Sequence, residues 1–227
     1  MSALFTDRHD AGRQLAARLQ RLAGRPGLLV LGLPRGGVPV AWEVASALHA
    51  PLDIFVVRKL GVPGHEELAM GAVASGGVRV VNQDVVRQLG ITRQVFDAIT
   101  EEEQREVLRR DSGYRLGRPL PTIRGAAVIL VDDGVATGST VLAAVHALRE
   151  FRPESITVAT PVIARETMRT IAQVADAVEY VAIPEPFYGV GAHYEDFSQT
   201  SDDEVRRLLA EGGARDGPAP LSYAGRA

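Results

Sequence analysis

No cysteine occurs among the 227 residues. Disulfides, thiolate metal sites and a cysteine nucleophile are therefore excluded, and any catalysis must use other groups. Aromatic residues make up 5% of the chain, and the net charge is only -3. With a pI near 6.0 the chain offers no basic field for nucleic acid. No apolar run approaches the roughly 20 residues that a membrane helix needs. Residues 6–13 are polar, unlike a signal peptide, so a cytoplasmic protein with no membrane partner is expected. The five histidines, His9, His49, His65, His146 and His193, are scattered without metal-ligand spacing and read as surface or core residues.

What is present is a hydrophobic content of 46%, enough for one large α/β core. Strand and helix patterns alternate, which predicts a parallel sheet with crossover helices. Helices are expected at 7–22, 38–48, 92–110, 166–174 and 202–210, and strands at 28–31, 54–57, 78–81, 128–131, 155–161 and 177–183. Residues 58–77 read as less regular. Residues 1–211 would form one domain, and the Gly/Pro/Ala-rich residues 212–227 a mobile tail.

The most informative stretch is Val128-Ile-Leu-Val-Asp-Asp-Gly-Val-Ala-Thr-Gly-Ser-Thr140. Its apolar run reads as a strand covered on both faces, and it delivers Asp132 and Asp133 to the strand's carboxyl end, where open α/β sheets bind ligands. Ala136, Thr137, Gly138, Ser139 and Thr140 are small enough for backbone N–H groups to reach a phosphate, and a helix N-terminus follows. Carboxylates accept hydroxyl hydrogens while N–H groups hold an anion, so the segment suits a ribose 5-phosphate. A plain alternative is a strand ending in an acidic turn that caps the helix. The hydroxyls of Ser139 and Thr140 have no visible His/Asp relay and read as hydrogen-bonding groups.

A second strand-to-helix turn, Gly32-Leu-Pro-Arg-Gly-Gly-Val38, combines close backbone approach at Gly36 and Gly37 with a guanidinium, Arg35, that can fork onto diphosphate oxygens. It fits neither the G-x-G-x-x-G nor the P-loop spacing. A third segment, Arg58-Lys-Leu-Gly-Val-Pro-Gly-His-Glu-Glu67, carries two cations into a Gly/Pro-rich loop able to close over a charged ligand; pairing of Arg58 and Lys59 with Glu66 and Glu67 is the competing reading. The fourth is the aromatic cluster at 184–197, where flat rings beside acids suit a nucleobase, or a lid that merely packs on the core.

The thirteen residues from Val128 to Thr140 resemble the phosphoribosyl-diphosphate (PRPP) motif of the type I phosphoribosyltransferase family, with Gly134 where the family usually has an aliphatic residue. Pro34-Arg35-Gly36-Gly37 is similar to the family's pyrophosphate loop, which implies a cis or strained Pro34–Arg35 peptide. The segment at Arg58 and Lys59 resembles the start of its flexible catalytic loop. Residues 184–200 resemble the hood of 6-oxopurine members, with Phe187, or its rival Tyr188, over the base. The resemblance implies transfer of ribose 5-phosphate from PRPP to a nitrogenous base, a purine by preference, with Mg2+ held near Asp132 and Asp133 through PRPP. It implies that Asp132, Asp133, Arg35 and Lys59 act in catalysis, and that Arg35, Gly36, Gly37, Asp132, Asp133, Ala136, Thr137, Gly138, Ser139 and Thr140 bind PRPP. Homo-oligomerisation is left open. Some proteins of this fold are instead non-catalytic PRPP- or nucleotide-binding regulators, the alternative reading.

Overall fold

The computed structural model describes residues 3–213. Asp7 caps helix α1 (Arg8–Leu19) by accepting the Asp10 amide at 2.7 Å, and a 3-10 turn (Gln20–Leu22) extends it. Strand β1 (Leu28–Gly32), helix α2 (Gly37–Leu48) and strand β2 (Leu52–Ile54) follow. Next come β3 (Val57–Val62), β4 (His65–Ala74) and β5 (Val78–Val81), then α3 (Gln83–Gln88) and α4 (Arg93–Arg115). The second half alternates β6 (Ala127–Val131), α5 (Ser139–Glu150), β7 (Ser155–Val162), α6 (Arg165–Ile171) and β8 (Ala177–Ala182) before α7 (Asp202–Gly213). Among the described residues no helix is long and apolar enough to cross a membrane.

Five strands form a parallel sheet in the order β2-β1-β6-β7-β8. β1 and β6 pair directly, from Leu28 opposite Ala127 to Gly32 opposite Val131. Both are buried throughout, and alternate side chains feed two cores. Leu28, Val30, Ala127, Ile129 and Val131 pack with α1, α2 and α7, whereas Leu29, Leu31, Val128 and Leu130 pack with α5 and α6. Burial on both faces is why these strands read as unbroken apolar runs. The fold is thus the expected α/β architecture of a parallel sheet flanked by helices. The chain leaves β1 through α2 on one face and β6 through α5 on the other. Strand order therefore reverses between β1 and β6, and their carboxyl ends border a crevice.

The structure departs from the sequence reading in several places. The strand expected at 54–57 is two elements: β2 ends at Ile54, and the chain changes sheets across Phe55 and Val56, whose amides bond to the Gly32 carbonyl and to Ser75 Oγ. Residues 58–77, expected to be irregular, are largely the hairpin of β3 and β4, which β5 completes as an antiparallel sheet in the order β3-β4-β5. Pro63 and Gly64 (φ 76°) form its hairpin turn, and a register shift at Leu60/Gly61 breaks the alternation that would have marked a strand. The last helix takes in Gly212, placed in the tail by composition, because it packs against Leu52. The remainder of that tail, 214–227, lies outside the described residues.

Candidate active site

The two glycine-containing turns meet in the crevice. The Leu33 amide donates to the Val131 carbonyl at 2.8 Å, which binds the turn after β1 to the end of β6. Gly36 and Gly37 then lie directly against the acidic pair: a β-carbon at Gly36 would fall 1.9 Å from Asp133 Oδ2, and one at Gly37 would fall 2.7 Å from the Val131 carbonyl oxygen. Contact this close needs residues without side chains. The peptide between Pro34 and Arg35 is cis, as the resemblance implies.

Asp132 and Asp133 are half-buried rather than fully solvent-facing. Burial pushes the Asp132 carboxyl well above the usual carboxylate range, and the Asp133 charge adds to the rise. Asp133 is also raised by burial, against the opposing pull of Arg8. Arg8 Nε donates to Asp133 Oδ2 at 2.8 Å, and the Asp132 side chain accepts the Asp133 amide at 3.0 Å.

Past the acidic pair, Gly138 adopts φ 76° and opens α5 with no side-chain cap on the first turn. A β-carbon there would meet Thr167 of α6 at 2.4 Å, so both conformation and space demand glycine. Thr167 Oγ1 donates to the Ala136 carbonyl at 2.5 Å, and the Thr137 and Ser139 hydroxyls are 3.3 Å apart. Ala136, Thr137 and Thr140 are exposed beside uncapped helix N–H groups, an arrangement that can receive a phosphate.

The other sequence-predicted residues are placed differently. Arg35 forms an ion pair with Asp202 at the start of α7 (3.5 Å), and Tyr114 donates to the same carboxylate at 2.8 Å. Lys59 lies within β3, half-buried, and not in a loop. Its neighbour Arg58 takes Glu103 of α4 as partner, at 2.6 and 3.1 Å. The side chains of Glu66 and Glu67 lie outside those described. Phe187 packs on His193 (5.4 Å between centroids) and joins the cluster of Phe5, Ala11, Val162 and Tyr194, whereas Tyr188 is 78% exposed.

A family profile for the phosphoribosyl transferase domain matches residues 5–195. The chain belongs to the phosphoribosyltransferase family. A Mycobacterium tuberculosis relative named "Putative phosphoribosyl transferase" is 47% identical over 223 residues, which cover 95% of this chain and 50% of that one. This phosphoribosyltransferase-family chain thus spans about half the length of the curated relatives it matches. A crystal structure of the protein TT1426 from Thermus thermophilus shares 39% identity with a TM-score of 0.84, covering 92% of this chain and 98% of the other.

The sequence reading missed Arg8 and Asp202, and within the 184–197 segment it singled out it gave no separate part to Tyr194 or Phe197. Arg8 is 125 residues from its partner Asp133 and looks like one more polar residue on an amphipathic helix. No local spacing could have revealed that contact.

Proposed function

We propose that this protein transfers ribose 5-phosphate from PRPP to a purine base and releases pyrophosphate. The observation that carries the reading is the junction of the two turns at neighbouring strand ends, which sets Gly36 against Asp133. Asp132 and Asp133 would accept the ribose hydroxyls, and the Thr137–Thr140 turn would hold the 5-phosphate through N–H and hydroxyl donors. The Gly36 amide and Arg35 would stabilise the departing pyrophosphate, with Arg35 exchanging Asp202 for the ligand, while the Gly37 amide already donates to the Leu33 carbonyl at 3.0 Å. Lys59 would add positive charge from β3. Tyr188 is better placed than Phe187 to cover the base, because Phe187 already packs in the cluster with Phe5 and Tyr194.

Two adjacent carboxylates that burial and mutual repulsion make costly to ionise suit a divalent cation. Asp132 and Asp133 would hold Mg2+ through the sugar hydroxyls, and the ion would supply charge for the leaving diphosphate. The transfer needs no protein nucleophile.

Pyrophosphate release from PRPP and Mg2+, measured across purine and pyrimidine bases, tests the reading. Release that depends on a purine supports it. PRPP binding with no release for any base would favour the non-catalytic regulator.

A further inference from the structure

Arg8 is the point at which four separated segments meet. It is the first residue of α1, yet its Nε donates to Asp133 Oδ2 at 2.8 Å and its Nη1 to the Ser198 carbonyl at 2.6 Å. The guanidinium carbon lies 4.0 Å from the centroid of the Phe197 ring. A β-carbon at Gly36 would come within 3.2 Å of Arg8 Nε, so the bare glycine of the first turn leaves room for this pair. Tyr194 holds the same acidic residue from the other side, its hydroxyl donating to the Asp133 carbonyl at 2.5 Å. Both members of the pair are sheltered, with side-chain exposures of 12% and 14%. The ion pair is therefore less screened than a surface one.

The contact engages a single carboxylate oxygen. Arg8 takes Oδ2 and does not engage Oδ1. Arg8 is itself held by the Phe197 face and the Ser198 carbonyl. A carboxylate held in this way is fixed in orientation before a ligand arrives, and preorganisation of this kind raises affinity.

We propose that Arg8 is a positioning residue for PRPP: it orients Asp133 for the sugar hydroxyl and ties the N-terminal helix and the 194–198 segment to occupancy of the site. The inference rests on the functional reading above. Because Arg8 acts through Asp133, its effect should be confined to ligands that carry the ribose.

Calorimetry with Mg2+ and either PRPP or inorganic pyrophosphate, on wild type, Arg8→Gln, Arg8→Lys, Asp133→Asn and the Arg8→Gln/Asp133→Asn double variant, tests this. Arg8→Gln should weaken PRPP about tenfold, the scale of one charge-assisted hydrogen bond, while pyrophosphate affinity holds. Arg8→Lys should recover part of the loss, and Arg8→Gln should add nothing in the Asp133→Asn background. Phe197→Leu, which loosens the guanidinium without removing it, should give a smaller loss of the same pattern. Equal losses for PRPP and pyrophosphate would mean direct anion contact and overturn the proposal. Unchanged PRPP affinity in Arg8→Gln, with only the melting temperature lowered, would overturn it as a purely structural pair. Wild-type protein that binds no PRPP would overturn the functional reading and this inference with it.

Discussion

Gly134 and Val190 compete for one volume. A β-carbon at Gly134 would lie 2.2 Å from Val190 Cγ1 and 2.8 Å from Cγ2, so the space beside the acidic turn is filled here by a side chain of the 3-10 turn Val190–His193. Valine is stiff at χ1 and cannot swing aside. Gly134→Ala is expected to lower the melting temperature by displacing that turn, at a cost of about 1–3 kcal/mol typical of overpacking. Val190→Ala should restore most of the loss in the double variant, and a double variant no more stable than Gly134→Ala would refute the shared volume. Ala136 poses a question of chemistry. By the family resemblance it stands where 6-oxopurine members carry an acidic residue that handles the base proton; its methyl can neither give nor take a proton, so an acceptor that needs acid–base help there should react poorly. Adenine is expected to outperform hypoxanthine and guanine, and Ala136→Asp to raise 6-oxopurine turnover without improving adenine, within the roughly 10²–10⁴-fold typical of such groups. Efficient guanine turnover by wild type would sink this argument.

Helix α4 shows what an element contributes beyond its own turns. The strongly charged helix is expected through 110, yet it runs to Arg115, because its last turn is built around a buried ion network. Arg115 is 5% exposed and reaches Asp53 of β2 at 3.1 Å, Asp111 at 2.6 Å and the Ile54 carbonyl at 2.7 Å. Ser75, the residue that follows β4, joins in by donating to Asp111 at 2.8 Å and accepting the Val56 amide. The network thus joins the main sheet, the antiparallel sheet and α4 where the chain changes sheets. Arg115→Met would leave Asp53 and Asp111 buried without their cation, and chemical denaturation should report a loss of about 3–5 kcal/mol. Asp53→Asn added to Arg115→Met should recover part of it. A loss below about 1 kcal/mol would show that the network is dispensable.

For the molecule as a whole, burial of the acidic pair is expected to cost stability at neutral pH. A carboxyl whose folded pKa is raised stabilises the fold only while protonated; that contribution is complete below the unfolded value and is lost as pH rises through the folded one. Asp132, raised by burial and by Asp133, therefore opposes folding at pH 7. Asp132→Asn, which keeps the oxygen that accepts the Asp133 amide, should raise the melting temperature at pH 7, with the gain shrinking as pH falls toward about 4. The same substitution should weaken PRPP by roughly ten- to hundredfold in calorimetry. Opposite signs for stability and binding are the mark of a functional group held in an unfavourable place. A melting temperature that falls at pH 7 would contradict this account. The corresponding change at Asp133 should be less favourable for stability, since it also removes the partner of Arg8.

Local patterning alone was enough for the parallel sheet, the two turns and the acidic pair. An apolar run buried on both faces, followed by carboxylates and small residues, leaves few other structures for residues 128–140. The antiparallel sheet was hidden because its register shift and its Pro-Gly turn look, residue by residue, like a loop. Long-range charge partners were beyond reach for a different reason. Arg8 with Asp133, Arg35 with Asp202, Arg58 with Glu103 and Arg115 with Asp53 are each set by where elements dock, and a charged side chain carries no mark of its partner in the residues beside it. Sequence determined which groups could do chemistry here; packing decided which of them face one another.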